Sequence, residues 1–208
     1  YAVDSGWGLF NLVQLPIWMA VIASVVLLDM AIYFQHLVFH AVPILWRLHR
    51  VHHADRDYDV TLGTRFHPIE ILLSLGIKFC LILLLGPPVV AVMLFEVSLN
   101  ATAMFNHGNV RLPLALDRVL RLFVVTPDMH RVHHSVIASE THSNFGFSIP
   151  WWDRMFGTYQ AQPAAGHGQM TIGLPQQQDG THQNLLWLLV YPFVGDAGED
   201  NIPYEDGS

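Results

Sequence analysis

Long apolar stretches alternate along the chain with shorter polar stretches that contain most of its histidines. The first apolar stretch, residues 9–34, contains a single charged side chain, that of Asp29. A helix needs about 20 residues to cross a hydrocarbon core of about 30 Å, and this stretch is longer. The pattern therefore predicts a transmembrane helix over residues 9–34.

A second apolar stretch covers residues 69–105 and is interrupted by Gly86, Pro87 and Pro88. Proline donates no backbone hydrogen bond and disfavours helical geometry in the residue before it, so the interruption predicts a hairpin of two helices. Each arm is barely long enough to cross the bilayer, and Lys78 places a charge in the first arm, where it costs about 3 kcal/mol. Both a pair of full spans and a shallower hairpin are consistent with this pattern.

Basic side chains follow each apolar stretch and are missing from residues 1–10; they are Arg47, Arg50, Arg56, Arg65, Arg111, Arg118 and Arg121. Lys and Arg are concentrated on the cytoplasmic side of membrane proteins, which places residues 36–67 and 107–159 in the cytoplasm. Residues 160–208 form a predicted loop, rich in Gln, Gly and Pro, and a tail. The short apolar stretch 185–193 within that tail is expected at the membrane interface.

These features together predict an all-α fold, a single integral membrane helical domain over residues 1–208. We expect at least three membrane-embedded helices, one span plus a helical hairpin, and a cytoplasmic helical cap that carries the histidine cluster. The chain begins at Tyr1 rather than at an initiator Met, so this helix count is a minimum.

Composition restricts the chemistry to histidine. The 208 residues include 13 His but a single Cys, Cys80, which excludes an intrachain disulfide and a site built from thiolates. The formal charge of −7, with ten Lys and Arg in total, argues against a nucleic-acid partner, because phosphate binding needs clustered positive charge. A metal bound to this chain would have to be held mainly by imidazole.

Histidine spacing is the strongest chemical signal in the sequence. Three motifs contain it, HLVFH and two copies of HRVHH, with the histidines His36, His40, His49, His52, His53, His130, His133 and His134. Residues at i, i+3 and i+4 share one face of a helix, so each motif presents imidazoles in one direction. Chance would produce an HxxHH motif about 0.05 times in such a chain, so two copies indicate a metal site. This many imidazoles exceeds the needs of one ion and suits two.

Two further histidines are expected at helix ends near these motifs, His67 in FHPIE and His107 in NHGN. His107 continues a polar stripe of Glu96 and Asn100, at spacings of four and seven, along an apolar helix. A stripe of this kind in a membrane faces a site, unless its members hydrogen-bond a neighbouring helix, and both alternatives stay open. The candidates for contact with a substrate are Glu96, Asn100, Trp151 and Trp152.

Several other polar residues are candidates for supporting roles. Asp29 and Tyr33 share a helical face with His36, so they could orient a metal ligand or serve a purely structural partner. The same two alternatives apply to Asp128. His142, in the loop-like segment THSNFG, is a candidate for a late ligand, a substrate contact or neither.

The motifs HLVFH, WRLHRVHH, NHGN and DMHRVHH, followed by NFGFSIPWWDRMFGTY, resemble those of the bacterial sterol desaturase / fatty acid hydroxylase superfamily. The resemblance runs from about Asp29 to Tyr159. It implies membrane helices with a cytoplasmic dimetal centre and the metal ligands His36, His40, His49, His52, His53, His107, His130, His133 and His134, with His67 as a tenth candidate. The family position four residues before His107 is sometimes histidine and is Ala103 here, which puts the metal stoichiometry in question.

The resemblance also implies the cofactors and partners. We expect two metal ions, iron in life with zinc as an alternative in a purified sample, and O2 as co-substrate. Nothing in the chain resembles a haem or flavin module, so a separate electron donor is expected, of the cytochrome b5, ferredoxin or reductase type. The leading hypothesis is a membrane oxygenase that hydroxylates or desaturates an unactivated C–H bond of a lipid. The alternative is a non-catalytic membrane subunit of a larger complex, with a structural histidine metal site.

Overall fold

The computed structural model describes residues 4–13, 15–180 and 184–195. Regular structure in these ranges is helical, apart from one isolated bridge between Ser135 and Ile172. The helices are α1 (Leu9–Leu12), α2 (Ile17–Ala41), α3 (Pro43–His53), α4 (Pro68–Leu85), α5 (Val89–Asn106), α6 (Leu114–Leu120), α7 (Pro127–His133), α8 (Ala138–Thr141), α9 (Trp151–Met155) and α10 (Leu185–Val190). Short 3₁₀ turns occupy Val60–Thr64, Pro175–Gln177 and Tyr191–Phe193. The expected all-α fold is thus confirmed for the described residues.

Three of these helices, α2, α4 and α5, are long and apolar enough to cross a membrane. Their outward side chains are large and apolar; Leu84 of α4 is 69% exposed and Val97 of α5 is 68% exposed. Apolar surface of this extent is expected where lipid, rather than water, surrounds a helix. The protein is an integral membrane protein with three candidate spans.

The first span begins and ends later in the chain than the predicted helix over residues 9–34. Pro16 precedes α2 in an extended conformation and lacks an amide proton, which separates α2 from the short α1. α2 then continues to Ala41, so His36 and His40 belong to the spanning helix itself. The predicted range is corrected to Ile17–Ala41, because the apolar composition runs on across Pro16 and does not mark where the helix begins.

α4 and α5 form a hairpin around Gly86, Pro87 and Pro88, as the interruption predicts. Gly86 ends α4 with a φ of 59°, a left-handed conformation that glycine adopts without a Cβ clash. The N-terminal segment lies against this turn so closely that a Cβ on Gly86 would overlap the carbonyl oxygen of Trp7. The charge of Lys78 is paired within the hairpin, because its Nζ lies 2.6 Å from Oε1 of Glu96.

One end of the bundle brings the histidine motifs together. The end of α2, the start of α4 and the end of α5 meet there, and α3 and α7 pack against them. The C-terminal segment covers α3: Tyr191 packs with Trp46, and the Arg50 guanidinium donates to the carbonyl oxygens of Tyr191 (2.8 Å) and Val194 (2.7 Å). Residues 181–183 and 196–208 of the predicted loop and tail lie outside the described residues.

Candidate metal centre

The structure gathers nine histidines into two adjacent groups. In each group, one ring nitrogen of every member lies within 4.8 Å of the others, and all members are buried. The five-histidine group consists of His36, His40, His49, His53 and His133, and the four-histidine group consists of His52, His107, His130 and His134.

Each HRVHH motif supplies both groups. In the first copy, His49 and His53 join the five-histidine group, whereas His52 joins the other. The second copy is reversed, since its first and last histidines join the four-histidine group and His133 joins the five-histidine group. Residues four apart lie almost above one another on a helix, while the residue at i+3 points to one side, so one short helix can reach two sites. Thr126 supports this presentation by capping α7, where its Oγ1 accepts from the amide of Met129.

Backbone carbonyls fix the orientation of three imidazoles. Nδ1 of His36 lies 2.8 Å from the carbonyl oxygen of Phe145, and Nδ1 of His133 lies 2.7 Å from that of Ser143. In the other group, Nδ1 of His107 lies 2.7 Å from the carbonyl oxygen of Ala103. A carbonyl oxygen only accepts, so each Nδ1 carries the proton and each Nε2 presents a lone pair.

Glu70 fixes the orientation of the His49 imidazole in the same way. Sequence reasoning did not identify this role of Glu70. Its Oε1 lies 2.7 Å from Nδ1 of His49, and the carboxylate is buried in the first turn of α4. The available signal was an acidic residue two positions after the proline that starts a membrane helix, close to His67. A carboxylate behind a metal-binding histidine fixes its tautomer and strengthens it as a ligand.

The ring nitrogens of the two groups fit metal ions better than hydrogen bonds. Nε2 of His36 and Nε2 of His49 lie 3.1 Å apart although both Nδ1 protons are already donated elsewhere, so two lone pairs face each other in the neutral rings. Two nitrogens bound to one ion at about 2.0–2.1 Å lie about 3 Å apart, which matches this spacing. Among the described residues, both ring nitrogens of His53 and of His134 are buried without a hydrogen-bond partner. The two groups are therefore suited to a dimetal site.

Burial also keeps these rings in the form that binds metal. Loss of solvation lowers the pKa values of His52, His53, His130, His133 and His134 well below 6.5, and repulsion by neighbouring imidazoles lowers them further. Burial lowers the pKa of His107 to about 4. Neutral imidazole is the ligating form, so no proton has to be removed at neutral pH.

Two of the sequence candidates lie outside both groups. His67 caps α4: its Nδ1 accepts from the amide of Ile69, and its Nε2 lies 3.3 Å from the carbonyl oxygen of Leu189. His142 lies beside the five-histidine group, with its Nδ1 3.3 Å from Nδ1 of His40.

The candidates for supporting roles have other partners. Asp29 accepts from the indole Nε1 of Trp152 (2.8 Å), and the Tyr33 hydroxyl lies 2.9 Å from Oγ1 of Thr158. Asp128 pairs with Arg131 at 2.7 Å. These contacts correspond to the structural alternative that the sequence left open.

Asp153, in α9, supports the metal centre indirectly and was missed by sequence reasoning. Its carboxylate accepts from the amides of Phe145 (2.7 Å) and Gly146 (2.9 Å) and from Oγ1 of Thr158 (2.8 Å). It thereby clamps the loop whose carbonyl groups orient His36 and His133. A Cβ at Gly146 would lie 2.7 Å from Oδ2 of Asp153, so glycine is required for this close approach.

A cavity of about 420 Å³ lies among α2, α4 and α5, next to the five-histidine group. His36, His49 and Glu70 line its polar end near the histidines, and its apolar wall includes Ile32, Phe39, Leu99 and Phe147. Asn100 lines this cavity, whereas Glu96 pairs with Lys78 of the neighbouring helix beside it, so the two residues correspond to different alternatives for the polar stripe. Trp151 lies on the outer surface and donates from Nε1 to the carbonyl oxygen of Leu122, away from this lining.

Comparison with known proteins gives matches over most of the described chain. Residues 21–158 match the model of the fatty acid hydroxylase family. Identity is 29% over 150 residues to ornithine lipid hydroxylase OlsE of Rhizobium tropici, covering 72% of this chain and 44% of that protein. It is 28% over 166 residues to alkylglycerol monooxygenase of Homo sapiens (75% and 34%) and 26% over 168 residues to methylsterol monooxygenase 2-2 of Arabidopsis thaliana (76% and 60%). The chain thus spans about a third to three fifths of these relatives, and no solved structure gives a significant match.

Proposed function

The chain belongs to the fatty acid hydroxylase family of the sterol desaturase superfamily, and from this membership we propose that it is an O2-dependent di-iron oxidoreductase acting on a membrane lipid. The reaction would be hydroxylation of an unactivated C–H bond. The relatives compared above are named as hydroxylases and monooxygenases, which supports hydroxylation over desaturation.

The observation that carries this proposal is that His36 and His49 of the five-histidine group line a cavity between the candidate spanning helices. A lipid chain enters such a cavity sideways from the bilayer, and its carbon atoms then reach His36 and His49 directly. A metal site that served only the fold would need no such cavity.

The residues of the chain have separate tasks in this proposal. The nine imidazoles would hold two iron ions, with Glu70 and three backbone carbonyls keeping four of the rings in position. Bound iron would supply the activation of O2 for attack on a C–H bond. The wall formed by Ile32, Phe39, Leu99 and Phe147 would align an alkyl chain and exclude water from the reacting end.

We further propose that the histidine end faces the cytoplasm and receives electrons from a separate donor of the cytochrome b5, ferredoxin or reductase type. The support for the orientation is the arginine-rich sequence of α3 and the segment after it, at that end of the bundle, while residues 1–10 contain no Lys or Arg.

The decisive test measures metal content and oxidised lipids in membranes that express the chain, with a His133→Ala/His134→Ala variant for comparison. The matched control is His167→Ala, because His167 is a histidine that belongs to neither group. We expect about two iron ions per chain and a hydroxylated lipid in the wild type and the control, and neither in the double variant. Zinc or no metal, with the same lipid profile in all three, would instead support a non-catalytic subunit, since a closed structural site tolerates zinc.

A further inference from the structure

One side of the cavity is polar, although it lies between membrane-spanning helices. Glu70, Ser74 and Lys78 follow one another at single-turn intervals on the cavity side of α4. Since a helix rises 1.5 Å per residue, Lys78 lies about 12 Å along the axis from Glu70. The contact with His49 accounts for Glu70, but Ser74 and Lys78 are costly in this segment and are expected to serve a function.

Both residues form bridges from α4 to other helices. Nζ of Lys78 donates to Oε1 of Glu96 in α5 at 2.6 Å, and Nε2 of Gln35 in α2 donates to Oγ of Ser74 at 2.7 Å. Asn100, one turn from Glu96, also lines the cavity at this level. α5 packs closely on α2, whereas α4 makes few contacts with α5. The bridges from Ser74 and Lys78 therefore connect α4 to the other two helices across the cavity region.

The bridges leave unused hydrogen-bonding capacity on residues that line the cavity. An ammonium group has three donors, and Glu96 occupies one of those of Lys78. Oε1 of Gln35 is buried and has no hydrogen-bond partner among the described residues. The Lys78–Glu96 pair has no net charge, so the cavity offers donors and an acceptor without a strong preference for an ion.

We propose that Gln35, Ser74, Lys78 and Asn100 form a polar subsite that binds a neutral oxygen group, such as a hydroxyl, on the lipid substrate. A hydroxyl both donates and accepts, so it suits a subsite that contains an unpaired acceptor, the Gln35 oxygen, and unused donors, those of the Lys78 ammonium. This inference rests on the proposed function and refines it, because a group held there fixes which carbon of the apolar part lies beside His36 and His49. The substrate class is an amphipathic lipid with an oxygen atom about 6–12 Å from the reacting carbon.

Binding by the purified, metal-containing protein tests this subsite without relying on turnover. The probes are dodecan-1-ol, dodecane and dodecanoate, titrated in detergent with thermal unfolding as the readout. The test variant is Lys78→Met/Glu96→Met, which removes both charges and leaves neither unpaired in the bundle. The control is Leu84→Met/Val97→Met, which changes exposed positions on the same two helices.

We expect the wild type and the control to bind dodecan-1-ol about tenfold more tightly than dodecane, and the test variant to lose most of this preference with unchanged metal content. Comparing the alcohol-to-alkane ratio between proteins cancels unequal partitioning into micelles. A Gln35→Met variant should show an intermediate ratio. An unchanged ratio in the test variant, or tighter binding of dodecanoate than of dodecan-1-ol by the wild type, would overturn the subsite.

The same samples separate this inference from the proposed function. Formation of oxidised lipid without a preference for the alcohol would support the proposed oxygenase and contradict the polar subsite. An alcohol preference that depends on Lys78, in a protein that forms no oxidised lipid, would leave the subsite standing and remove the oxygenase.

Discussion

The two histidine groups are built from the same motif but have different surroundings. The five-histidine group lies against the cavity, and Glu70 and the carbonyl groups of Ser143 and Phe145 orient three of its rings. The members of the four-histidine group are not among the residues that line this cavity, and the ring of Tyr58 packs near them, with its centroid 5.4 Å from that of His134. The difference indicates that groups with the same motif can have different roles: in the proposed function, the first group would meet the substrate, and the second would complete the dimetal site.

The largest effect is expected when one histidine is removed from each group, because this tests whether both groups are needed. His49→Ala and His52→Ala remove neighbouring histidines of α3 that belong to different groups. Each should lower lipid oxidation by more than about 100-fold, beyond the effect of an outer partner, because each removes a direct ligand. Iron content and oxidised lipid would be measured together, with His167→Ala as control. A His52→Ala protein that kept two ions and full turnover would contradict the four-histidine group.

Glu70→Gln tests whether the two histidine groups are supported differently, because Glu70 contacts only the five-histidine group through His49. The amide can still accept from Nδ1 of His49 but carries no charge, so we expect a loss of about tenfold in metal affinity, and about 100-fold for Glu70→Ala. Mössbauer spectra should show a change at one of the two iron ions. The buried Glu140, which accepts from the amide of Ala164, provides the control Glu140→Gln. Equal perturbation of both ions would mean that the groups are not distinct.

Asp153→Asn should weaken the five-histidine group by loosening the loop that carries the Phe145 and Ser143 carbonyls, with about a tenfold loss of metal affinity. Burial raises the pKa of Asp153 from 3.8 to about 6, so the folded chain holds this proton more tightly than the unfolded chain. Its contribution to stability is therefore full below pH of about 4 and is lost as the pH rises through about 6.

Thermal unfolding in detergent from pH of about 7 to about 4 would measure this effect. The stability of the wild type relative to Asp153→Asn should increase as the pH falls, by on the order of 2–3 kcal/mol in total. Met155→Leu, on the exposed side of α9, is the control. A difference that does not depend on pH would show that Asp153 is not the titrating group.

His67→Ala should have the smallest effect. It removes the cap on the amide of Ile69 and should cost about 1 kcal/mol of stability. Because His67 lies outside both groups, metal content and product distribution should match the wild type. A loss of one ion per chain would restore His67 as a tenth ligand and reduce the contrast between the groups.

Local signals in the sequence predicted the features that depend on neighbouring residues. The hairpin follows from Gly86, Pro87 and Pro88, whose effect on the backbone is immediate, and the clustered histidines follow from their helical spacing. The start of α2 was misplaced because apolar residues continue on both sides of Pro16.

Contacts between distant parts of the chain were not visible in the same way. No spacing rule connects Glu70 to His49, or Asp153 to the carbonyl groups behind His36 and His133, because those partners meet only after the helices pack. His67 was included because it is a histidine expected at a helix end near the motifs, while the proline after it indicates a helix cap. The division of each HRVHH motif between two groups also depends on how α3 and α7 face each other.

That division has a consequence for the order of events during translation. The first HRVHH copy and all three candidate spans precede the second copy in the chain, yet the five-histidine group lacks His133 and the four-histidine group lacks His130 and His134 until α7 has been synthesised. Neither histidine group is therefore complete when the three candidate spans have been synthesised. In the proposed function, metal would complete its coordination only after α7 has emerged, and a chain that stalled before residue 130 would form an inserted bundle without the full set of histidines for either group.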